Sequence, residues 1–312
     1  MKPRLLQTGS LMPALESQLA AEFDVHALWK EASPSAFLAA HGAEFIGLVT
    51  SARVGADAAL INALPSLKVI SSFGVGYETL DLDAAKRRGV VVSNTPDVLN
   101  DCVADLAFGL LIDISRGISA GDRFVRRGDW ERNGFPLATR VSGKRLGVLG
   151  LGRIGQAIAK RSIGFDMEVR YHSRRPVANV SWGYEASAAA LAEWADFLVV
   201  ACAGGPSTRH LVSAEVLAAL GPKGFLINIS RGTVIDEQAL VQALVGKRIA
   251  GAALDVFENE PHVPAALMSL DNVVLLPHVA SNTHETRKAM NDLVVSNLRS
   301  YFARGRLETP IA

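Results

Sequence analysis

Several polar residues gather in the second half of the chain, most of them at or just beyond the end of a short apolar run, and their chemistries complement one another. Arg231 stands in Ile229-Ser230-Arg231-Gly232, Glu260 precedes Pro261, and His278 closes Leu276-Pro277-His278. Asp255 follows Gly251-Ala252-Ala253-Leu254 in the same way. Taken singly, a strand-end arginine reads as a surface ion-pair partner and a lone histidine as a structural residue. As a set they suit the reduction of a 2-keto acid. A guanidinium binds the substrate carboxylate through a fork of donors and can polarise the keto oxygen. Histidine titrates nearest neutral pH, so it can hand a proton to the developing alkoxide. A neighbouring glutamate orients that ring and favours its protonated form. His262 and His284 lie close in sequence, but with Glu260 and Asp255 they form no familiar metal-ligand spacing, and no metal is expected.

Such a reduction needs a hydride from a cofactor. The apolar run Leu146-Gly147-Val148-Leu149 empties into Gly150-Leu151-Gly152-Arg153-Ile154-Gly155, and a helical pattern follows over 156–163. In a strand–glycines–helix arrangement the first glycine permits the tight turn and the second lets the backbone approach a pyrophosphate. The third lets helix and strand pack closely. The helix start then offers unpaired amides and a positive dipole end to the phosphates. The plainer alternative is an ordinary glycine-rich turn. NAD sites place a carboxylate at the end of the second strand to bind the ribose hydroxyls. Here that strand ends Tyr171-His172-Ser173-Arg174-Arg175, with no acid. A hydroxyl and two guanidinium groups suit a 2′-phosphate, so NADP(H) is the expected cofactor. A solvated basic turn is the alternative.

The elements that must hold these residues are α/β in character. Apolar runs at 4–6, 46–50, 67–70 and 90–93 precede the glycines, with helical patterns at 13–23, 57–64 and 81–88 between them. A second series comprises 146–149, 168–172, 197–201, 225–229, 249–254 and 273–276, six strands in all. Short apolar strands separated by helices indicate parallel βαβ units. Val103, Ala107, Leu110, Leu111 and Ile114 mark one face of a long helix beyond Asn94-Thr95-Pro96, and another helical pattern runs over 285–302. The length of 312 residues accommodates two domains. No segment approaches the roughly 20 apolar residues of a membrane span. The N-terminus lacks the apolar core of a secretory signal. A net charge of +1 gives no general attraction to nucleic acid. The two cysteines, Cys102 and Cys202, read as thiols of a reducing compartment, and a cytoplasmic protein is expected.

With these motifs assembled, the chain resembles the D-isomer-specific 2-hydroxyacid dehydrogenases, and within them the branch that reduces glyoxylate, hydroxypyruvate and hydroxyphenylpyruvate with NADPH. The resemblance rests on Phe73-Gly74-Val75-Gly76-Tyr77, Asn94-Thr95-Pro96-Asp97-Val98-Leu99, the glycine motif and Ile227-Asn228-Ile229-Ser230-Arg231-Gly232. It extends to Leu254-Asp255-Val256-Phe257-Glu258-Asn259-Glu260-Pro261 and Leu275-Leu276-Pro277-His278, and so covers nearly the whole chain. It implies two doubly wound parallel-sheet α/β domains, a Rossmann cofactor domain inserted into a flavodoxin-like substrate domain. The boundaries expected are 1–96 for the first part of the substrate domain, 97–284 for the cofactor domain and 285–312 for a returning helix.

The family's catalytic arginine, glutamate and histidine fall on Arg231, Glu260 and His278. The resemblance further implies that the amides of Val75 and Gly76 hold the substrate carboxylate at a cleft. It places Ile229, Ser230 and Asp255 against the cofactor, with Asp255 near the nicotinamide. A homodimer formed through the cofactor domain, with the 124–135 region contributing, is the implied assembly. The implied substrate is a small 2-keto acid reduced to its D-2-hydroxy acid, glyoxylate and hydroxypyruvate foremost. Hydroxyphenylpyruvate, phenylpyruvate and 2-ketogluconate are the alternatives. A cofactor-sensing protein like the corepressors that share the fold is the non-enzymatic alternative. One departure is Ala201-Cys202-Ala203-Gly204-Gly205-Pro206, where related reductases carry a Cys-Pro-Leu-type turn; greater flexibility over the cofactor is the consequence expected.

Overall fold

The computed structural model describes residues 2–311. The chain forms two compact units, 1–99 together with 282–312, and 100–281. The second unit therefore lies within the sequence of the first, with joints after Leu99 and Ser281.

The first unit runs β1 (Arg4–Gln7), α1 (Pro13–Glu22), β2 (Asp24–Ala27), α2 (Pro34–His41), β3 (Gly47–Ser51), α3 (Ala58–Asn62), β4 (Val69–Phe73), α4 (Leu82–Arg87) and β5 (Val91–Ser93). Its strands are all parallel and ordered β2-β1-β3-β4-β5, the flavodoxin-like order. β3 and β4 are central and buried almost throughout, as expected where helices cover both faces of a parallel sheet. The core gathers Leu6, Phe45, Leu48, Ile61, Leu64, Ile70 and Val92. β2 and α2 went unread in the sequence. Asp-Val-His-Ala lies at the sheet edge with no buried residue, and α2 buries none either, so neither carries the apolar signature of a core element.

The second unit continues with α5 (Asn100–Arg116), α6 (Ile118–Arg126), β6 (Arg145–Leu149), α7 (Arg153–Arg161), β7 (Glu168–His172), β8 (Gly183–Tyr184), α8 (Ala188–Trp194), β9 (Phe197–Val200), α9 (Ala214–Leu220), β10 (Phe225–Asn228), α10 (Glu237–Val245), β11 (Gly251–Leu254), α11 (Ala265–Met268) and β12 (Val273–Leu275). The sheet order is β12-β11-β10-β9-β6-β7-β8, every pair parallel. Counted from β6, this is the doubly wound dinucleotide-binding order with a seventh strand added. The sequence reading counted six strands; β8, two exposed residues paired to Arg170 and Tyr171, was missed because it has no apolar run. The order reverses between β6 and β9, which places the carboxyl end of β6, and hence Gly150, at the switch point where such sheets bind ligands.

The last helix, α12 (His284–Arg304), returns to the first unit. Thr283 caps its start by accepting from the Thr286 amide, and Gly305, in the left-handed region, closes it. Its buried face includes Met290, Val294, Val295 and Leu298. Ser71, buried in β4, donates to the Val294 carbonyl at 3.4 Å. Fully buried Asn297 accepts from the amides of Glu308 and Thr309 at 3.0 and 2.9 Å. The Thr309 hydroxyl then donates to the Asn94 carbonyl at 2.7 Å. Periodicity could announce this helix but not where it docks, because its partners lie some 200 residues earlier.

Candidate active site

Strand register explains how residues distant in sequence converge. Asn228 of β10 pairs with Leu254 of β11, and Leu254 with Leu275 of β12. The three strands therefore end together, and their next residues lead to Arg231, Asp255 and His278.

The Arg231 turn is built by its neighbours. Buried Asn228 accepts from the Ser230 amide and hydroxyl at 3.0 and 3.2 Å, and its own amide group donates to the Arg231 carbonyl at 3.0 Å. Gly232 follows because no larger residue fits: a Cβ there would lie 1.8 Å from the Phe257 carbonyl carbon. That contact seats the arginine turn against the segment leading to Glu260. Ile229 and Ser230 are buried, and the polar groups of Ser230 are engaged by Asn228, so the structure gives them a part in shaping this turn. Asn228 was quoted in the motif but not singled out; a buried amide side chain at a strand end was the available signal.

His278 has a left-handed backbone, φ 56°, which a side chain other than glycine adopts at a cost of order 1–3 kcal/mol. Asp255 supports it. The Asp255 carbonyl accepts from the His278 amide at 2.8 Å, and its two carboxylate oxygens accept from Val279 and Ala280 at 2.7 and 2.9 Å. One residue thus receives three successive amides. Its side chain is fully buried, and burial pushes the carboxyl above its ordinary value, against the pull of the two amides and of His278. With no exposed area and both carboxylate oxygens committed, Asp255 supports the His278 segment from beneath.

Glu260 completes the cluster. Its Oε2 lies 2.8 Å from His278 Nδ1, and its Oε1 accepts from the Phe257 amide at 3.2 Å. Burial raises its carboxyl, but the His278 hydrogen bond and charge, the Phe257 amide and the Arg231 charge outweigh it, so the net shift is downward. An ionised carboxylate only accepts, so Nδ1 carries the hydrogen and Nε2 is the ring atom left to serve a substrate. The His278 side chain is 48% exposed, enough to be reached. Beside it, Glu258 accepts from Arg209 at 2.7 Å and pairs with His210 at 3.0 Å, tying the 206–212 loop to this segment.

The three glycines of the motif meet different surroundings. Gly150 has φ 100°, and a Cβ on it would lie 2.5 Å from the Cys202 backbone; one on Gly155 would lie 2.1 Å from the Gly150 carbonyl oxygen. A Cβ on Gly152 would meet nothing within 4 Å. Two glycines are thus required by packing, while the middle one faces open space, where a pyrophosphate fits against the start of α7 at Arg153 and Ile154. Leu151 is buried beneath the turn. Alongside, Leu149 pairs with His172, so Ser173, Arg174 and Arg175 leave the sheet next to the glycines. Both arginines are exposed. The Ser173 hydroxyl donates to the Arg175 carbonyl at 2.6 Å, which holds the turn that carries the two guanidinium groups. The residues present fit an NADP(H) molecule.

The 201–206 segment is more restrained than its composition suggested. The Thr208 hydroxyl donates to the Ala203 carbonyl at 2.8 Å and its amide to Gly205 at 3.1 Å. Burial pushes the Cys202 thiol up to about 11, which keeps it inert near neutral pH.

Val75 and Gly76 lie in the first unit, after β4. The Gly74 amide donates to Thr95 Oγ1 at 3.1 Å, and the Val75 carbonyl accepts from Asn94 at 2.7 Å. Among the described residues nothing accepts from the amides of Val75 and Gly76, which leaves two consecutive donors for an anion.

Two outcomes follow from this geometry. Gly152→Ala should keep wild-type thermal stability yet weaken NADPH binding by about tenfold or more (~1.4 kcal/mol), whereas Gly155→Ala should lower the unfolding temperature itself; cofactor titration and thermal unfolding separate them. Asp255→Asn sets an NH2 against one of the two amides and should cost about 1–3 kcal/mol at neutral pH in urea unfolding. Because the folded acid of Asp255 is raised, wild type gains stability as pH falls through that value toward the ordinary carboxylate range, and the Asn variant should lack this component.

The chain matches the family model "D-isomer specific 2-hydroxyacid dehydrogenase, NAD binding domain" over residues 108–280. It is 50% identical to the hydroxyphenylpyruvate reductase of Plectranthus scutellarioides, and 48% identical to a glyoxylate/hydroxypyruvate reductase of Arabidopsis thaliana, with 95% of each chain covered in both cases. A 2-ketogluconate reductase of Gluconobacter oxydans is 42% identical over 99% of both chains. Among solved structures, the NADPH-dependent glyoxylate/hydroxypyruvate reductase of Sinorhizobium meliloti, in complex with NADP and malonate, superposes with a TM-score of 0.94. It is 44% identical, with 100% of this chain and 97% of that one covered. Two parallel sheets of the expected orders, the three-glycine turn and this depth of identity agree: the chain belongs to the D-isomer-specific 2-hydroxyacid dehydrogenase family.

Proposed function

We propose that this protein reduces a small 2-keto acid to the D-2-hydroxy acid with NADPH. The observation that carries the reading is the 2.8 Å contact between Glu260 and His278 Nδ1, which leaves Nε2 as a proton donor close to the Arg231 charge. Bound NADPH supplies the hydride. The turn Gly150-Leu151-Gly152-Arg153-Ile154-Gly155 holds its pyrophosphate, and Arg174 and Arg175 hold the 2′-phosphate. Arg231 grips the substrate carboxylate and polarises the keto oxygen, and the Val75 and Gly76 amides bind the same carboxylate. His278 delivers a proton from Nε2 to the oxygen as negative charge develops on it. Glu260 holds the ring through Nδ1 and stabilises its charged form; Asp255, Ile229 and Ser230 keep these groups in place.

Hydroxypyruvate and glyoxylate are the leading substrates, in line with the Arabidopsis and Sinorhizobium relatives. Hydroxyphenylpyruvate or phenylpyruvate, and 2-ketogluconate, are the alternatives suggested by the other two. A homodimer is the proposed assembly: Ile118, Val125, Trp130 and Leu137, all in or just after α6, are more than half exposed, and a second copy would cover them. A monomeric mass by light scattering would exclude it. No described helix is long and apolar enough to cross a membrane. The two free thiols support action in the reducing cytoplasm, which cell fractionation would check.

NADPH oxidation with a panel of 2-keto acids tests the reading. Intact cofactor binding with no turnover on any of them would favour the cofactor-sensing alternative. His278→Ala should lower kcat by about 10²–10⁴-fold with a smaller change in KM, and Arg231→Ala should raise KM and lower kcat together. Parental turnover in His278→Ala would exclude it as the proton donor. Replacing Arg174 and Arg175 by Ala should raise KM for NADPH by about tenfold or more (~1.4 kcal/mol) and leave KM for NADH unchanged; equal losses would refute the 2′-phosphate assignment.

A further inference from the structure

The loop after β3 holds its shape through an unusual number of ties for a surface turn. The amides of Val54 and Gly55 both donate to the Ser51 carbonyl, at 3.1 and 2.8 Å. Thr50 Oγ1 donates to the Gly55 carbonyl at 2.7 Å and accepts from Thr8 Oγ1 at 2.7 Å. The turn is also fastened along its length to the loop after β4. The Ala52 amide donates to the Phe73 carbonyl at 2.9 Å, the Thr79 hydroxyl to the Ala52 carbonyl at 3.0 Å, and the Ala56 amide to the Thr79 carbonyl at 3.0 Å. Gly55 sits at φ 75° with Thr79 so close that a Cβ would lie 2.1 Å from its carbonyl oxygen. Ala52 packs on Gly74 so tightly that a Cβ on that glycine would lie 2.6 Å from the Ala52 methyl.

The residue this turn presents is Arg53. It is exposed, and among the described residues no carboxylate, carbonyl or ring partners its guanidinium. A free cation is therefore held on a rigid support, one residue from Ala52, which packs on Gly74. The next two residues, Val75 and Gly76, carry the unpaired amides. An arginine kept only for solubility needs neither the support nor the position. The support makes sense if the guanidinium must stand at a fixed distance from whatever the amides bind.

Resting on the reading that those amides hold the substrate carboxylate, we propose that Arg53 reads the other end of the 2-keto acid. It donates to an oxygen on C3 or beyond, so the site selects 2-keto acids with a distal hydroxyl or carboxylate over those with none. Hydroxypyruvate is then preferred over pyruvate, its counterpart without the hydroxyl, and over glyoxylate, which has no C3. Guanidinium suits this role because its planar fork can take either a hydroxyl oxygen or a carboxylate.

The experiment compares kcat/KM for hydroxypyruvate, oxaloacetate, pyruvate and glyoxylate, with NADPH, in wild type, Arg53→Met and Arg53→Lys. In Arg53→Met, hydroxypyruvate and oxaloacetate should fall by about tenfold or more, as expected for a lost charge-assisted hydrogen bond. Pyruvate and glyoxylate should stay within about twofold, and Arg53→Lys should recover part of the loss. An equal fall for all four substrates would mean that Arg53 only attracts the shared carboxylate, and no fall would mean that it touches nothing; either overturns the proposal. Thermal shifts with D-glycerate and glycolate read the same discrimination without turnover. If wild type turns over none of the four, the reading of hydroxypyruvate and glyoxylate as the leading substrates fails. Arg53 is then judged on whether Arg53→Met removes a D-glycerate shift that exceeds the glycolate shift; absence of that difference in wild type overturns it.

Discussion

The active-site half of this structure depends on one buried carboxylate. Asp255 has no exposed surface, yet it receives three consecutive amides, those of His278, Val279 and Ala280. Those contacts offset the cost of a left-handed backbone at His278 and set the direction from which the imidazole leaves the chain. Without them His278 would sit at the end of a short strand with nothing to fix its angle to Glu260. Burying a charge is expensive unless hydrogen bonds repay it, and burial does raise this acid. The arrangement therefore exchanges some stability for position, the usual direction of that exchange where chemistry is done.

A second constraint, steric rather than electrostatic, governs the cofactor side. Gly150, Gly155 and Gly232 are each fixed by a backbone a Cβ would strike, at 2.5, 2.1 and 1.8 Å. Three chain crossings are thereby compressed at the carboxyl edge of one sheet. The first brings the end of β6 against the segment after β9, the second brings α7 down onto β6, and the third brings the arginine turn onto the segment before Glu260. Gly152 is the exception, open where the others are closed, and the exception marks the space left for a ligand. Hydrogen bonds fix the His278 segment, and missing side chains leave the opening at Gly152.

Most of this could be read from residue types because parallel strands leave a strong signature. β9, β10 and β11 are buried at every position, so each appears as an unbroken apolar run, and the polar residue that ends the run marks the carboxyl edge. Arg231, Asp255 and His278 could be picked out near such ends, whereas Glu260 was picked out only by its chemistry beside them and by the family resemblance. Elements that bury little escaped, as β2, α2 and β8 show, because edge position removes the pattern that reveals a strand. The roles of Asn228 and Asp255 were hidden for a different reason. A polar side chain at a strand end looks the same in sequence whether it faces a ligand or its own backbone, and only the partners at 2.7–3.0 Å decide.

In the proposed reaction the groups divide along chemical lines. Every group that moves or balances charge during the proposed reaction (Arg231, Glu260, His278) belongs to the second unit, with the glycine turn. The first unit offers backbone amides and, at Arg53, an exposed cation on a tied-down turn, none of which needs to change protonation state. Groups of that kind bind without reacting, so substitutions among them alter which substrate is held while leaving the proton donor and its partners untouched. Relatives that share this fold and carry the names of hydroxyphenylpyruvate, glyoxylate/hydroxypyruvate and 2-ketogluconate reductases are what such a division would produce. The turn at residues 51–55 is where it would act in this chain. Its backbone is bound to β4 and the following loop by hydrogen bonds that do not involve the side chain at position 53, so that side chain can vary without disturbing its support.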